Sequence, residues 1–179
     1  MLRYLFCFSA CLLVAAGSTR GGTILSHNGA TDPVSAGWDP DPGLGTSVTT
    51  VGPIFNDQGY DAWLVSDNDA SSGGSSDGYW GTLTAAEKDN ADNLGWVFGS
   101  RLRVANTSDT SLGSVAIYYF DGVKQWFLDF ESSSTGEQIV TAVSGSGSNF
   151  SGMDYNTQST GYLYYEIVYD PQFGTADVF

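Results

Sequence analysis

Apolar and polar residues alternate along the second half of the chain, and this period of two is typical of β-strands. In residues 125–131, Trp126, Leu128 and Phe130 share one face, and polar side chains dominate the other. Similar patterns predict further strands over residues 96–105, 115–120, 139–143, 162–170 and 175–179. Both faces of residues 115–120 are apolar, so we expect this strand to be buried on both sides. Arg101 and Arg103 share one face of their strand.

Turn and cap signals divide these strands. Asp121-Gly122 predicts a hairpin turn between two of them, and residues 170–174 predict a second turn. The residues from Thr84 to Glu87 form a capping box, which predicts a short helix over residues 85–93. The sequence therefore predicts an all-β fold of two antiparallel sheets packed as a sandwich, with one short helix near 85–93.

The N-terminus has the pattern of a secretory signal peptide. Arg3 precedes an apolar run over residues 5–16, which is broken only by Ser9 and ends next to Gly17. This arrangement favours cleavage after Gly17, and the run is too short to span a bilayer as a permanent helix. We therefore expect residues 1–17 to be a signal peptide and the protein to be secreted or displayed on the cell surface.

The mature domain is expected over residues 23–179, with no segment inserted in a membrane. Cys7 and Cys11 both lie in the predicted signal peptide, so the mature chain contains no cysteine and its stability depends on packing. Residues 176–179 end inside a strand pattern without a closing turn. We expect the domain to be truncated at this end, with at least one further strand belonging to the fold.

Composition and charge restrict the classes of partner. The chain has 20 acidic and 6 basic residues, a formal net charge of -14, and 14% aromatic residues. The aromatic residues are sufficient for a core, which argues against global disorder. Because nucleic acids and anionic membrane surfaces would be repelled, we expect neither as a partner.

Six segments carry a family resemblance, and they are residues 162–171, 174–179, 26–33, 37–38, 61–63 and 95–96. In these segments the chain resembles the concanavalin A-like (laminin G-like) jelly-roll superfamily, as found in bacterial exported proteins. In relatives a Val-Asp-Gly turn follows the last strand, and it is missing here. The resemblance covers roughly Thr23 to Phe179 and implies a jelly-roll sandwich of two curved sheets. It also implies glycan binding on the concave sheet or its rim loops, often with calcium nearby, and it includes glycosidases.

Aromatic side chains are the main signal for such a ligand, because sugar rings stack on Trp and Tyr while nearby polar groups bind their hydroxyls. We predict a ligand-binding site formed by Trp80, Tyr79, Trp63 and Asp61. Trp80 is the leading candidate because it lies beside a Gly-rich loop. The alternative is that most of these rings belong to the core.

An acidic loop is the candidate calcium site. Asp67, Asp69 and Asp77 supply carboxylate oxygens within a Gly/Ser-rich segment, as calcium requires. The positions of Ser72 and Gly78 exclude an EF-hand, and the alternative is a solvated loop. His27 is the only histidine, so neither a zinc site nor a nucleophilic triad is supported.

Asp129 and Glu131 are the candidate catalytic pair. At i and i+2 on a strand, both carboxylates project from one face. The laminarinase-type glucanases of the resembling superfamily carry three acidic residues at i, i+2 and i+4. Here the first of these positions is Phe127, so the expected nucleophile is absent. The simpler interpretation is the solvated face of an amphipathic strand, which favours a protein without catalytic activity.

The sequence thus favours a non-catalytic, secreted or cell-surface domain that binds carbohydrate or mediates adhesion, with a glycan or an extracellular matrix component as its partner. Two alternatives stay open. One is an extracellular glycoside hydrolase using Asp129 and Glu131, and the other is a purely structural module of a larger envelope protein.

Overall fold

The chain forms two antiparallel β-sheets and a short two-stranded ribbon. The computed structural model describes residues 5–14, 23–40, 49–67, 78–106, 116–133, 135, 137–146 and 149–179. The strands are β1 (Leu5–Val14), β2 (Thr23–His27), β3 (Asp39–Pro40), β4 (Thr49–Asp57), β5 (Tyr60–Asp67), β6 (Tyr79–Trp80), β7 (Trp96–Asn106), β8 (Ala116–Phe120), β9 (Gln125–Ser132), β10 (Gln138–Ser146), β11 (Asn149–Asn156), β12 (Leu163–Asp170) and β13 (Thr175–Val178). The helix α1 is Ala85–Leu94, and a 3₁₀ helix covers Pro33–Ala36.

The large sheet has the strand order β13-β12-β7-β1-β5-β4, with β2 paired to β1. The small sheet has the order β11-β10-β9-β8, and β3 pairs with β6. Every pairing in the described residues is antiparallel. The prediction of a mostly β fold with antiparallel sheets and one short helix is therefore confirmed.

The core lies between the inner faces of the two sheets. Trp126, Leu128 and Phe130 of β9 are all buried, as their shared face predicts. From the large sheet, Trp96 packs edge-on against Trp126 with ring centroids 5.7 Å apart, and Tyr165 packs against Phe130 at 4.9 Å. Aromatic contacts of this kind add to the free energy gained by burying the apolar surface.

The strand β8 differs from its prediction. Ile117 and Tyr119 are buried, but Tyr118 is 55% exposed and Phe120 is also exposed. The expectation that both faces of this strand are buried was therefore wrong. The face of β8 that carries Tyr118 and Phe120 is thus exposed to solvent.

The predicted hairpin turn joins β8 to β9. Gly122 has φ +97°, a left-handed conformation that glycine adopts without the steric penalty of a Cβ. The Asp121 carboxylate accepts hydrogen bonds from the backbone N–H groups of Val123 and Lys124, both at 2.7 Å. These contacts fix the register of the two strands.

The helix α1 begins with the predicted capping box. The backbone N–H of Thr84 donates to the Glu87 carboxylate at 2.8 Å, and the Thr84 hydroxyl accepts from the Glu87 N–H at 3.3 Å. Hydrogen bonds from the hydroxyl and the backbone of Thr84 hold the pKa of Glu87 below its usual value. Ala91 is the buried residue of this helix. Among the described residues, no helix combines the length and apolarity needed to cross a membrane.

The apolar run predicted to be a signal peptide forms β1 in the full-length chain. This strand pairs with β7 along its whole length, from Leu5 opposite Asn106 to Val14 opposite Val97. Its other edge pairs with β5 and then with β2. A short continuous apolar run is also consistent with a strand that has neighbours on both sides. Cleavage after Gly17 stays a prediction.

Candidate functional site

The aromatic residues predicted to bind a ligand occupy different environments. Trp63 is only 7% exposed, and its indole N–H donates a hydrogen bond to the Tyr79 hydroxyl at 3.0 Å. Burial raises the pKa of Tyr79, and the hydrogen bond from Trp63 offsets part of this increase. Trp80 is 38% exposed and lies opposite Asp39 in the two-stranded ribbon. Of these three rings, Trp80 has the most surface available for a ligand.

Asp61 accepts a hydrogen bond within a backbone turn. Its carboxylate accepts a hydrogen bond from the Asn56 N–H at 2.9 Å, across the β4–β5 turn. Asn56, Gln58 and Gly59 of this turn all have positive φ, at 55°, 53° and 88°. The described contact of Asp61 thus stabilises a turn with strained backbone angles and is not made with the predicted aromatic residues.

The predicted calcium ligands fall mostly outside the described residues. Asp69 and Asp77 are not described, and Asp67 is the last residue of β5. No group of three or more metal-ligating side chains occurs among the residues that the structure describes. His27 ends β2 and is buried, with its Nδ1 accepting from the Gly29 N–H at 3.3 Å.

Asp129 and Glu131 lie on the face of β9 opposite the buried Leu128 and Phe130, as the alternation predicts. However, Asp129 is only 1% exposed and lies opposite Thr141 of β10. A glycosidic oxygen would have to reach this carboxylate for general acid catalysis. The burial of Asp129 therefore does not favour the pair as glycosidase acids.

A different group of side chains meets on the outer face of the large sheet. We call it the tyrosine–arginine face, and its members are Asp57, Tyr60, Arg101, Arg103, Tyr162, Tyr164 and Glu166. In β7 the even-numbered residues from Trp96 to Val104 are buried against the small sheet. Because successive side chains point to opposite faces, Arg101 and Arg103 project outward.

Asp57 anchors one end of this face. Its Oδ2 accepts a hydrogen bond from Arg103 Nη2 at 2.6 Å and another from the Tyr162 hydroxyl at 2.9 Å. The side chains of Arg103 and Asp57 are 14% and 21% exposed, so water screens this ion pair less than one at the surface. The three groups connect the end of β4 to β7 and to the start of β12.

Arg101 lies between two tyrosine rings. Its guanidinium carbon is 5.0 Å from the ring centroid of Tyr60 and 5.9 Å from that of Tyr164. Both distances are within the range of a cation–π interaction. Tyr60 also packs against Tyr162, with ring centroids 5.0 Å apart. The rings therefore limit the orientations available to the guanidinium.

Gly99 allows Tyr164 to lie close to the sheet. A Cβ at Gly99 would overlap the Tyr164 hydroxyl and lie 3.0 Å from its Cζ and 3.3 Å from Glu166 Cγ. The Tyr164 hydroxyl donates to the Glu166 carboxylate at 2.8 Å. Tyr164 is nevertheless 44% exposed, so part of its ring faces solvent above the glycine.

The tyrosine–arginine face presents aromatic rings beside charged groups. Aromatic rings offer apolar surfaces for the C–H groups of a sugar, while guanidinium and carboxylate groups hydrogen-bond hydroxyls. Two of the side chains, Arg103 and Asp57, form an ion pair with each other, and the Arg101 guanidinium lies within cation–π distance of both rings. The face thus combines stacking surface with fixed polar groups.

Part of the tyrosine–arginine face could be predicted from the sequence. The shared face of Arg101 and Arg103 follows from alternation, and so does that of Tyr162 and Tyr164. The missing information was the pairing of β7 with β12, which sets Tyr164 opposite Arg101. These strands are distant in the chain, so periodicity alone does not reveal that they are neighbours.

Comparisons with known proteins leave the family open. No family model matches the chain, and no curated protein and no solved structure gives a significant match.

Proposed function

We propose that this chain is a non-catalytic, secreted or cell-surface domain that binds carbohydrate or mediates adhesion. Its partner would be a glycan or an extracellular matrix component, bound on the tyrosine–arginine face. The carrying observation is the placement of Arg101 between the rings of Tyr60 and Tyr164 on an outward-facing sheet surface.

The composition of this face supports carbohydrate as the ligand class. Saccharides need flat apolar surfaces and oriented polar groups at the same place. Tyr164 is partly exposed, and the Asp57 carboxylate holds both Arg103 and Tyr162 in position. Such prior ordering reduces the entropy lost on binding. Trp80, with its exposed ring, stays a proposed second contact for a ligand.

We also propose jelly-roll connectivity for the two sheets and export through the N-terminal segment. The antiparallel pairing and the sandwich-like packing are compatible with a jelly roll. The basic residue Arg3 and the apolar run over residues 5–16 support export. A calcium requirement, suggested by Asp67, Asp69 and Asp77, belongs to the same proposal.

A glycan array probed with and without EDTA tests this function. We expect binding to at least one class of glycan, and Tyr60→Ala and Tyr164→Ala to weaken it about tenfold each, since a lost ring contact costs roughly 1.5 kcal/mol. Tyr155→Ala is the matched control, because Tyr155 is exposed on β11 of the small sheet. Loss of binding in EDTA would implicate a metal.

Two results would contradict the proposal. If the protein bound no glycan in either condition, carbohydrate recognition would be excluded. If Tyr155→Ala weakened binding as much as Tyr60→Ala, the ligand would not be specific to the tyrosine–arginine face.

A further inference from the structure

Arg101 differs from the other basic side chains that the structure describes. Lys88 and Arg103 each form an ion pair, and Lys124 donates a hydrogen bond to a backbone carbonyl. Arg101 makes neither kind of contact with the described residues; its partners are the two rings. A guanidinium presents several N–H donors in a planar fork that matches a carboxylate. The donors of Arg101 are therefore available to an external acceptor.

The Glu166 carboxylate does not form an ion pair with Arg101. Glu166 accepts a hydrogen bond from the Tyr164 hydroxyl at 2.8 Å, and it forms no ion pair among the described residues. Asp57 is held by Arg103. No carboxylate of the described residues therefore forms an ion pair with Arg101, and both flanking rings restrict its position.

The net charge of the chain limits what kind of anion fits. At -14 overall, the protein repels a polyanion over its surface as a whole. This repulsion is screened beyond about 8 Å at physiological ionic strength, whereas a direct contact with Arg101 is not. A ligand with one carboxylate gains the local contact and experiences little of the wider repulsion.

We propose that Arg101 binds the carboxylate of an acidic sugar residue, such as a hexuronate, while Tyr60 and Tyr164 contact the sugar ring. This inference rests on the proposed carbohydrate-binding function and adds the charge class of the ligand. The guanidinium and the carboxylate would form paired N–H···O hydrogen bonds, which are stronger than those between neutral groups.

Matched oligosaccharides on one array test the inference. Each uronate-bearing oligosaccharide is printed beside its carboxyl-reduced counterpart, so that the two differ only in charge. We expect the acidic member to bind about tenfold more tightly, and Arg101→Gln to weaken binding of the acidic member until the two members bind equally. Lys88→Gln is the control, since it removes the same charge from an ion pair on α1.

A conservative variant separates the contact from general charge. Arg101→Lys keeps the positive charge but lacks the planar fork, so we expect it to retain part of the preference for the acidic member. A circular dichroism spectrum of each variant confirms folding. Retention of the full preference in Arg101→Gln, with the fold intact, would overturn the inference.

The outcomes separate this inference from the proposed function. Equal binding of the two members by the wild-type protein would overturn the assignment to Arg101 and leave carbohydrate binding standing. Binding of neither member, on an array where no other glycan binds, would overturn both. Tighter binding of a sulfated polyanion than of the single uronate would also contradict the assignment.

Discussion

The position of Tyr164 depends on the absence of a side chain at Gly99. A Cβ at Gly99 would overlap the Tyr164 hydroxyl, which donates its hydrogen bond to Glu166 from that position. Gly99 does not have a positive φ. A glycine is therefore required at this position to leave space for Tyr164, and not for its backbone conformation. The position of Tyr164 beside Arg101 thus depends on a residue that has no side chain of its own.

Gly99→Ala should therefore weaken glycan binding without unfolding the protein. The new methyl group would push the partly exposed Tyr164 ring outward, away from Arg101 and Glu166. We expect an affinity about tenfold lower and a free energy of unfolding within about 1 kcal/mol of wild type, because the ring moves into solvent. Titration calorimetry and denaturant unfolding measure the two quantities.

Gly52→Ala is the matched control for this substitution. Gly52 lies in β4, and a Cβ there would meet nothing within 4 Å. If Gly99→Ala bound as tightly as Gly52→Ala, the position of Tyr164 would not contribute to recognition.

The alternation of apolar and polar residues predicted the buried face of a strand better than it predicted which aromatic rings are exposed. Alternation assigned Trp126, Leu128 and Phe130 to one buried face, and the structure agrees. It could not distinguish buried Trp63 from exposed Trp80, because exposure of a ring depends on which element covers it. The elements that cover a ring come from distant parts of the chain, and the local sequence pattern does not identify them.

At the level of elements, local signals were sufficient wherever the interactions are local. The capping box at Thr84 and the Asp121-Gly122 turn both involve residues within a few positions of one another, and both are present. The outer face of β8 was predicted incorrectly because an apolar composition does not show whether another part of the chain covers that face.

The strand β1 is both the segment predicted to be a signal peptide and a paired strand of the large sheet. As a signal peptide it would be removed, yet in the full-length chain it pairs with β5 and β7 on its two sides. Since β1 is antiparallel to both, β5 and β7 run parallel to each other. Their separation is about twice the strand spacing, or roughly 10 Å, so they do not hydrogen-bond directly.

Deleting residues 1–17 should therefore expose the facing edges of β5 and β7. We expect faster amide hydrogen exchange in these two strands, because their backbone groups lose the partners supplied by β1. Exchange in β9 and β10, which pair with each other in the small sheet, is the internal control. Unchanged protection of β5 and β7 would show that their edges do not depend on β1 for protection.

For the molecule as a whole, the core is aromatic and connects both sheets. Trp96 of the large sheet contacts Tyr119 and Trp126 of the small sheet, with ring centroids 4.4 Å and 5.7 Å apart. The Tyr119 hydroxyl is buried and has no hydrogen-bond partner in the described structure. Its burial should make the stability of the fold sensitive to alkaline pH.

Burial raises the pKa of Tyr119 to about 12 from an ordinary value of 10.0, and it also raises the pKa of Tyr165. A raised phenol pKa means that the unfolded chain releases its proton first as the pH increases. The stabilisation is fully present below the unfolded value of about 10, declines above it, and is lost by the folded value of about 12. For Tyr119 this difference corresponds to about 3 kcal/mol.

Guanidinium unfolding near neutral pH and at steps between about 10 and 12 measures this decline. Tyr119→Phe removes the titrating group and a buried hydroxyl without a described partner, so we expect no loss of stability near neutral pH and a shallower alkaline decline. Tyr118→Phe, at an exposed position in the same strand, is the matched control for loss of a hydroxyl. If Tyr119→Phe declined as steeply as wild type, the ionisation of Tyr119 would not be coupled to unfolding, and the alkaline sensitivity would have to come from other groups.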